Sequence, residues 1–233
     1  MRLLALDATT TTCSVACWSA GTVVASQTEI AGRRQAEILM PMVKSVMKEA
    51  AIEFKLLDGI GVTQGPGSFT GVRIGLATAR GLALATGLPL AGVTTLQTLA
   101  AAPPLAERQG HIIFAALDAR REQVYGQFFA ADGVPAAAPF AANVESLPLR
   151  LSPICAPGTP LLLVGSGSPL AAPIFDAAGW ECHISGCPPY PQAAIVATII
   201  AARGLSKSAV TSVPPIYLRE PGVGPINHRP AGM

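Results

Sequence analysis

The stretch Gly65-Pro66-Gly67-Ser68-Phe69-Thr70-Gly71-Val72-Arg73-Ile74-Gly75 decides how this chain is read. It follows a short apolar run, Ile60 to Val62, and opens an alanine-rich apolar segment that closes at Gly87 and Pro89. That order is strand, glycine turn, helix. Glycines at such a junction let the backbone turn sharply and let a helix start lie close to something else. Two uses are open. The free N–H groups of the helix start suit an anion, and the small residues equally suit tight packing. The helix would carry Gly71, Gly75 and Ala79 at i, i+4 and i+8, one small-residue face that permits close approach of another helix. Arg73 and Arg80 would share a different face. The segment is not a Walker loop, because no Lys-Ser or Lys-Thr follows the glycines, and its spacing is not the dinucleotide fingerprint.

Outward from this stretch, strands and helices alternate. Arg2 to Asp7, Ser14 to Trp18 and Thr22 to Ser26 read as strands. Gln35 to Ala50 is an amphipathic helix, with Ile38, Leu39, Met42, Val43, Val46 and Met47 at helical spacing. Ile60 to Thr63 is a strand, Thr70 to Thr86 a helix, Leu88 to Val93 a strand and Thr94 to Ala102 a short helix. The pattern predicts a mixed or parallel sheet covered on both faces.

Pro103-Pro104 marks a boundary, after which the opening pattern returns. Ala5-Leu6-Asp7-Ala8 is echoed by Ala116-Leu117-Asp118-Ala119, each followed by a strand-like run and a glycine turn. The echo signals duplication. It divides the chain into a first α/β subdomain over 1–102 and a more degenerate second one over 103–220, with a return of its last segment to the first left open. A flexible tail is expected over 221–233. Between Val134 and Pro160 the reading is loops with one short helix. Leu161 to Val164 is a strand, followed by Gly165-Ser166-Gly167, and Ser168 to Ala178 and Gln192 to Arg203 are helices.

The composition excludes several classes. The 233 residues carry a formal charge of +2, with 50% hydrophobic and 13% charged residues. So small a net charge leaves no large electrostatic footprint for nucleic acid or a membrane. The charge-free stretch Gly81 to Ala106 is cut by Gly87, Pro89, Gly92 and Pro103 into pieces shorter than the roughly 20 residues that span a bilayer. Asp7 and the threonines interrupt the apolar start before it reaches the length of a signal peptide. Five cysteines without a Cys-x-x-Cys fit a reduced cytoplasm, with the thiols as small apolar fillers. His111, His183 and His228 are far apart and offer no metal pair. Cys182 and His183, adjacent on a strand, would point to opposite faces. Ser68 lies in no Gly-x-Ser-x-Gly elbow. Asp7 with Thr9 and Thr10 could hold a metal–phosphate pair or simply cap a turn, and the turn is favoured. Asp118, Arg120 and Arg121 read as surface ion pairing.

Four motifs carry a family resemblance. They are Leu4-Ala5-Leu6-Asp7 with Cys13-Ser14-Val15-Ala16, the long glycine signature, Asp118-Ala119-Arg120 with Val124-Tyr125, and Tyr217-Leu218-Arg219. Through them the chain resembles the TsaB (YeaZ) family of bacterial tRNA threonylcarbamoyladenosine biosynthesis proteins. The resemblance implies the actin-like ATPase fold (RNase H-like, shared with sugar kinases), built from two duplicated α/β subdomains. The family is similar to TsaD, the subunit that transfers threonylcarbamoyl to N6 of adenosine 37 in tRNAs reading codons that begin with A. In TsaD a His-x-x-x-His metal pair follows the next strand. Thr95 and Leu99 stand in that place here, and neither replaces an imidazole.

The resemblance therefore implies a non-catalytic activator with no metal and no tightly bound cofactor. Its expected partners are a TsaD-like catalytic subunit, a TsaE-like ATPase and, when alone, a second copy of itself. Contact with tRNA would be indirect and there would be no membrane. The implied partner interface is Gly67, Ser68, Phe69, Thr70, Gly71, Arg73, Ile74, Gly75, Thr78, Ala79 and Leu82. Asp7, Thr9, Thr10, Gly165 and Gly167 would form a worn nucleotide site, with a nucleotide at the boundary between subunits. Relatives commonly carry a histidine in the stretch written here Arg33-Arg34-Gln35-Ala36-Glu37, which has none. Two other readings stay open: a self-sufficient actin-fold ATP-dependent phosphotransferase and, more remotely, a peptidase.

Overall fold

A computed structural model describes residues 1–205 and 213–219. The tail expected over 221–233 lies outside the described residues. The first half runs β1 (Arg2–Asp7), β2 (Thr12–Ser19), β3 (Thr22–Ile30), α1 (Gln35–Glu49), β4 (Gly59–Thr63), α2 (Phe69–Thr86), β5 (Leu90–Val93) and α3 (Thr95–Ala100). After the short α4 (Leu105–Arg108) come β6 (Ile112–Asp118), β7 (Gln123–Phe129), β8 (Phe140–Asn143), α5 (Leu147–Leu151), β9 (Pro160–Val164), α6 (Ser168–Ala177), β10 (Glu181–Ile184) and α7 (Ala193–Arg203).

The two halves repeat one topology. The first sheet has the order β3-β2-β1-β4-β5, and the second, read in the same direction, β8-β7-β6-β9-β10. β1 pairs antiparallel with β2 and parallel with β4; β6 pairs antiparallel with β7 and parallel with β9. Asp7 and Asp118 end the matching strands β1 and β6.

Strand composition follows position in the sheet. β1 is buried from Leu3 onward, as expected of a central strand covered on both faces. β3 lies at the sheet edge and alternates in exposure over nine residues. It extends to Ile30, past the expected end at Ser26, because pairing with β2 carries its polar residues along. β8 and β10 fall where sequence reading finds no strand. β8 is Phe-Ala-Ala-Asn, poor in β-branched residues, and β10 is exposed at three of its four positions. Their neighbours β7 and β9 supply the ladder, so tertiary pairing overrides weak propensity.

The helices divide between outer and inner layers. α1 and α2 cover the outer face of the first sheet with Leu39, Met42, Val43, Val46, Val72 and Leu76. The outer core of the second sheet gathers Phe114, Phe128 and Phe175 into one aromatic group. The last helix of each half crosses over. α3 buries Leu96 and Leu99 against Ile113 and Leu117 of the second sheet. α7 buries Val196 and Ile200 against Leu3, Ala5 and Ala16 of the first. No described helix is long and apolar enough to cross a membrane.

One expectation is corrected here. Gly71, Gly75 and Ala79 of α2 do not form an outward ridge for a partner; all three are buried within the monomer. A methyl group at Gly71 would land on the Ala8 carbonyl, and one at Gly67 on the Thr9 carbonyl. A methyl at Gly75 would stand 3.6 Å from Ala8 Cβ. The small residues let α2 lie against the loop after β1, so the close approach they permit is internal.

Candidate functional site

Two surfaces are open on the molecule, the outer face of α2 and the cleft between the sheets. α2 is held firmly at both ends. The Ser68 side chain caps its start by accepting the Gly71 N–H at 3.4 Å. Gly87 ends it in the left-handed conformation, with φ of 69°. With Val72, Leu76, Ala79 and Ala83 turned into the core, helical periodicity places Thr70, Ala77, Gly81 and Leu84 opposite, and all four are exposed. Leu84 is 81% exposed. Ile74 and Leu82 are half-buried on the flank and pack on the cluster that includes Ile38 of α1. Ser68, Phe69, Thr70 and Arg73 are exposed, while Gly67 and Thr78 are half-buried.

Eight of the eleven implied interface residues therefore remain at least partly open. Ala77, Gly81 and Leu84 belong to the same strip, although sequence reading passes them over. The signal was available: only one stripe of α2 carries Val72, Leu76, Ala79 and Ala83, and it must face the sheet.

The cleft has a volume of about 720 Å³. Thr9, Thr10, Thr11, Gly67 and Ser68 line it from the first half, and Leu117, Asp118, Ala119, Arg120, Tyr125 and Ser166 from the second. Arg33 and Gln35, on the approach to α1, complete the wall. Asp7 lies beneath it and is fully buried. Its Oδ1 accepts hydrogen bonds from Thr9 Oγ1 at 2.7 Å, the Thr9 N–H at 3.3 Å and Thr63 Oγ1. Its Oδ2 is buried without a hydrogen-bond partner among the described residues. Burial pushes the Asp7 carboxyl up to about 6, against the hydrogen bonds from Thr63 and Thr9, which favour the anion.

The raised value makes a pH prediction. A carboxyl that binds its proton more tightly when folded stabilises the fold while protonated. That contribution is complete below the unfolded value near 3.8, and it is lost as pH rises through about 6. Against an Asp7→Asn variant, the wild type should lose up to about 3 kcal/mol of relative stability between pH 4 and pH 7. Denaturant melts across that range read the difference, and parallel curves would refute it.

Asp118, the matching residue, is exposed and behaves differently. Its Oδ1 accepts the Arg120 backbone N–H at 2.7 Å, and its own N–H donates to Ser166 Oγ at 3.1 Å. Arg120, Arg121 and Glu122 all have positive φ, at 65°, 55° and 57°. The expected surface ion pairing at this turn is not found: among the described residues the ion pairs are the amino terminus with Asp58 and Lys55 with Glu53. The structure brings Thr9, Thr10 and Ser166 to one cleft, but the flanking glycines serve packing. A methyl at Gly165 would meet the Ala116 carbonyl, and one at Gly167 would lie 2.9 Å from Ala116 Cβ. The side-chain position of each glycine is thus taken by the chain's own atoms.

Thr95 and Leu99, in the place of the TsaD histidines, are both committed inward. The Thr95 hydroxyl donates to Thr9 Oγ1 at 3.2 Å, and Leu99 is buried in the core beneath α3. These two residues do not fit a metal ion. Burial holds the thiols of Cys13 and Cys17 protonated, pushed up to about 12 and about 11. Cys182 is likewise pushed up to about 12, by burial and then by Asp176. None of the three is a ready nucleophile.

A duplicated five-stranded sheet whose last helix crosses to the other half, with a cleft between the ends of β1 and β6, defines the actin-like ATPase fold. The chain belongs to the family described as TsaD: tRNA N6-adenosine threonylcarbamoyltransferase, whose model matches residues 20–137. It is 41% identical over 125 residues to the tRNA threonylcarbamoyladenosine biosynthesis protein TsaB of Escherichia coli (strain K12), covering 54% of this chain and 53% of that one. The chain thus spans about half the length of the curated relatives it matches first. Similarity in structure runs further. A Pseudomonas aeruginosa protein described as similar to peptidase YeaZ superposes with a TM-score of 0.77 at 29% identity, covering 94% of this chain and 99% of that one. Component A of (R)-2-hydroxyglutaryl-CoA dehydratase from Acidaminococcus fermentans shares the fold alone, with a TM-score of 0.53 at 9% identity over 85% of this chain and 97% of that one.

Proposed function

We propose that this chain is a non-catalytic subunit in the formation of N6-threonylcarbamoyladenosine in tRNA, and that it acts by pairing with a TsaD-like catalytic subunit. One observation carries the reading. At the start of α3, where the resemblance puts a metal-binding histidine pair, Thr95 and Leu99 are buried and engaged in the chain's own packing. A subunit of this family built so contributes through contact. Similarity to TsaB of Escherichia coli supports the pathway, and similarity to the TsaD family model supports a partner of like fold.

The contact surface is the outer face of α2. Thr70, Ala77 and Gly81 are small and let a second helix approach closely, and Leu84 supplies an apolar anchor. Ser68, Phe69, Arg73, Ile74, Thr78 and Leu82 flank this strip. The same face serves a homodimer when the catalytic subunit is absent. A TsaE-like ATPase joins the pair, a nucleotide sits at the boundary between subunits, and tRNA meets this chain only through the complex. The chain alone binds no nucleotide tightly, because Asp7 is sealed under the cleft and engaged by Thr9 and Thr63.

The test is co-purification with the TsaD-like subunit of the same organism, followed by an assay for modified adenosine. The chain is expected to bind that subunit and raise its product yield, and to make no modified adenosine on its own. The cleft, with Arg33, Arg120, Ser68 and Ser166 on its walls, favours one rival, the self-sufficient ATP-dependent phosphotransferase. Stoichiometric Mg²⁺-dependent ATP binding by the isolated chain, lost in Asp7→Ala, would establish that rival.

A further inference from the structure

Residues 213–219 belong to no helix or strand, yet they are fastened at almost every step. Val213 is buried, and its carbonyl accepts a hydrogen bond from Arg80 Nη2 at 2.7 Å. The Ile216 N–H donates to the Gln64 carbonyl at 2.7 Å. The Ile216 carbonyl occupies the place where a side chain at Gly65 would begin, and Gly65 has φ of +100°. These contacts lie on the first half, at the end of β4 and along α2.

The next residues build a stack and then cross over. The Tyr217 ring stands 5.3 Å from the Phe69 ring, centre to centre. The Arg73 guanidinium lies 3.8 Å over Phe69, and its Nε donates to Tyr217 Oη at 3.2 Å. Leu218 packs against the cluster that joins α3 to the second sheet. Arg219 reaches the β6–β7 turn, donating to the Ala119 carbonyl at 3.5 Å and to Gln123 Oε1. Its guanidinium lies 5.8 Å over the Tyr125 ring. Ala119 and Tyr125 line the far wall of the cleft, and Gly67 and Ser68, next to Phe69, line the near one. Seven consecutive residues thus join the two walls.

We propose that Val213–Arg219 is a strap that sets the opening of the inter-sheet cleft, pinned to the first half by the Arg73–Phe69–Tyr217 stack and to the second by Arg219. The inference stands apart from any choice of partner for α2. It accounts for the shared face of Arg73 and Arg80 on α2: both hold the strap. The turn at Arg120–Glu122 keeps three successive residues at positive φ, a conformation that surrounding contacts must enforce, and Arg219 is one such contact. Arginine suits the pin because its planar, pre-organised fork reaches two acceptors while stacking on the Tyr125 ring, whereas a lysine offers a compact point charge with no such plane.

Amide hydrogen exchange on the full-length chain tests this, comparing wild type with Arg219→Ala, Arg219→Lys and Tyr217→Ala. Residues 119–124 report one wall, 65–68 the other, and 3–6 with 60–62 serve as an internal reference. Arg219→Ala should speed exchange at 119–124 by about five- to tenfold, with a smaller gain for Arg219→Lys. Tyr217→Ala should speed exchange at 119–124 as well, although Tyr217 makes no hydrogen bond there, because slack in the strap reaches both walls. Unchanged exchange at 119–124 in Tyr217→Ala, or changes confined to 217–219 in Arg219→Ala, would overturn the proposal. Should an alanine variant lose protection in the reference strands, Arg219→Lys decides, and wild-type exchange at 119–124 in that variant counts against the strap.

Discussion

Gly71→Ala should destabilise the fold by about 3 kcal/mol or more, although it adds a single methyl group at a helical position. Alanine ordinarily favours a helix over glycine by about 1 kcal/mol. Here the new carbon would meet the Ala8 carbonyl, an atom of the backbone just beyond β1. A flexible side chain could swing away; this carbonyl cannot without moving Asp7 and the threonine turn. The loss should therefore exceed the helical gain severalfold. Gly81 is the control. Nothing lies within 4 Å of a carbon added there, so Gly81→Ala should stabilise by about 0.5–1 kcal/mol. Denaturant unfolding of both variants gives the comparison. A Gly71→Ala protein as stable as wild type would mean that α2 does not rest on the loop after β1 as described.

Ala77→Arg should weaken association with the TsaD-like subunit by about 100-fold or more while leaving the fold intact. Ala77 is exposed between Thr70 and Leu84 on the open strip of α2, so the monomer accommodates a long side chain there. Arginine is also a good helix former, and the melting temperature should stay within about 2 °C of wild type. In the complex the same side chain would prop two helices apart and bury a charge without a partner. Calorimetric titration of the variant against the catalytic subunit reads the loss. Undiminished affinity would move the interface off this strip, leaving the non-catalytic reading to stand on Thr95 and Leu99.

These two expectations concern the buried and the open face of one helix, and the sequence separated them poorly. Glycines four apart announce a close approach, but they do not say whether the approaching body is a partner or the chain's own loop. The deciding information was the register of Val72 and Leu76, large apolar residues that must face a sheet and bring Gly71 and Gly75 round with them. The duplication was legible, because Ala5-Leu6-Asp7 and Ala116-Leu117-Asp118 end equivalent strands whose burial demands the same apolar run. β8 and β10 were not, since Phe-Ala-Ala-Asn and a mostly exposed tetrapeptide become strands only when β7 and β9 offer them an edge.

The cleft was legible only in part. Asp7 and the threonines could be placed at a strand end, but Arg33, Tyr125 and Ser166 meet them through long-range folding that no local pattern encodes. The strap was legible least of all. Tyr217 and Arg219 could be quoted as a motif, yet their neighbours Phe69, Arg73 and Gln123 are distant in the chain.

A photo-reactive cross-linking residue in place of Leu84, in the full-length chain mixed with the purified TsaD-like subunit, tests the proposed pairing most directly. Leu84 is the most exposed large apolar side chain of α2, and a probe there should yield a covalent heterodimer whose adduct maps to a helix of the catalytic subunit. A probe at Leu149 of the second half, equally exposed, should yield none. Cross-linking at Leu149 with none at Leu84 would contradict the pairing through α2.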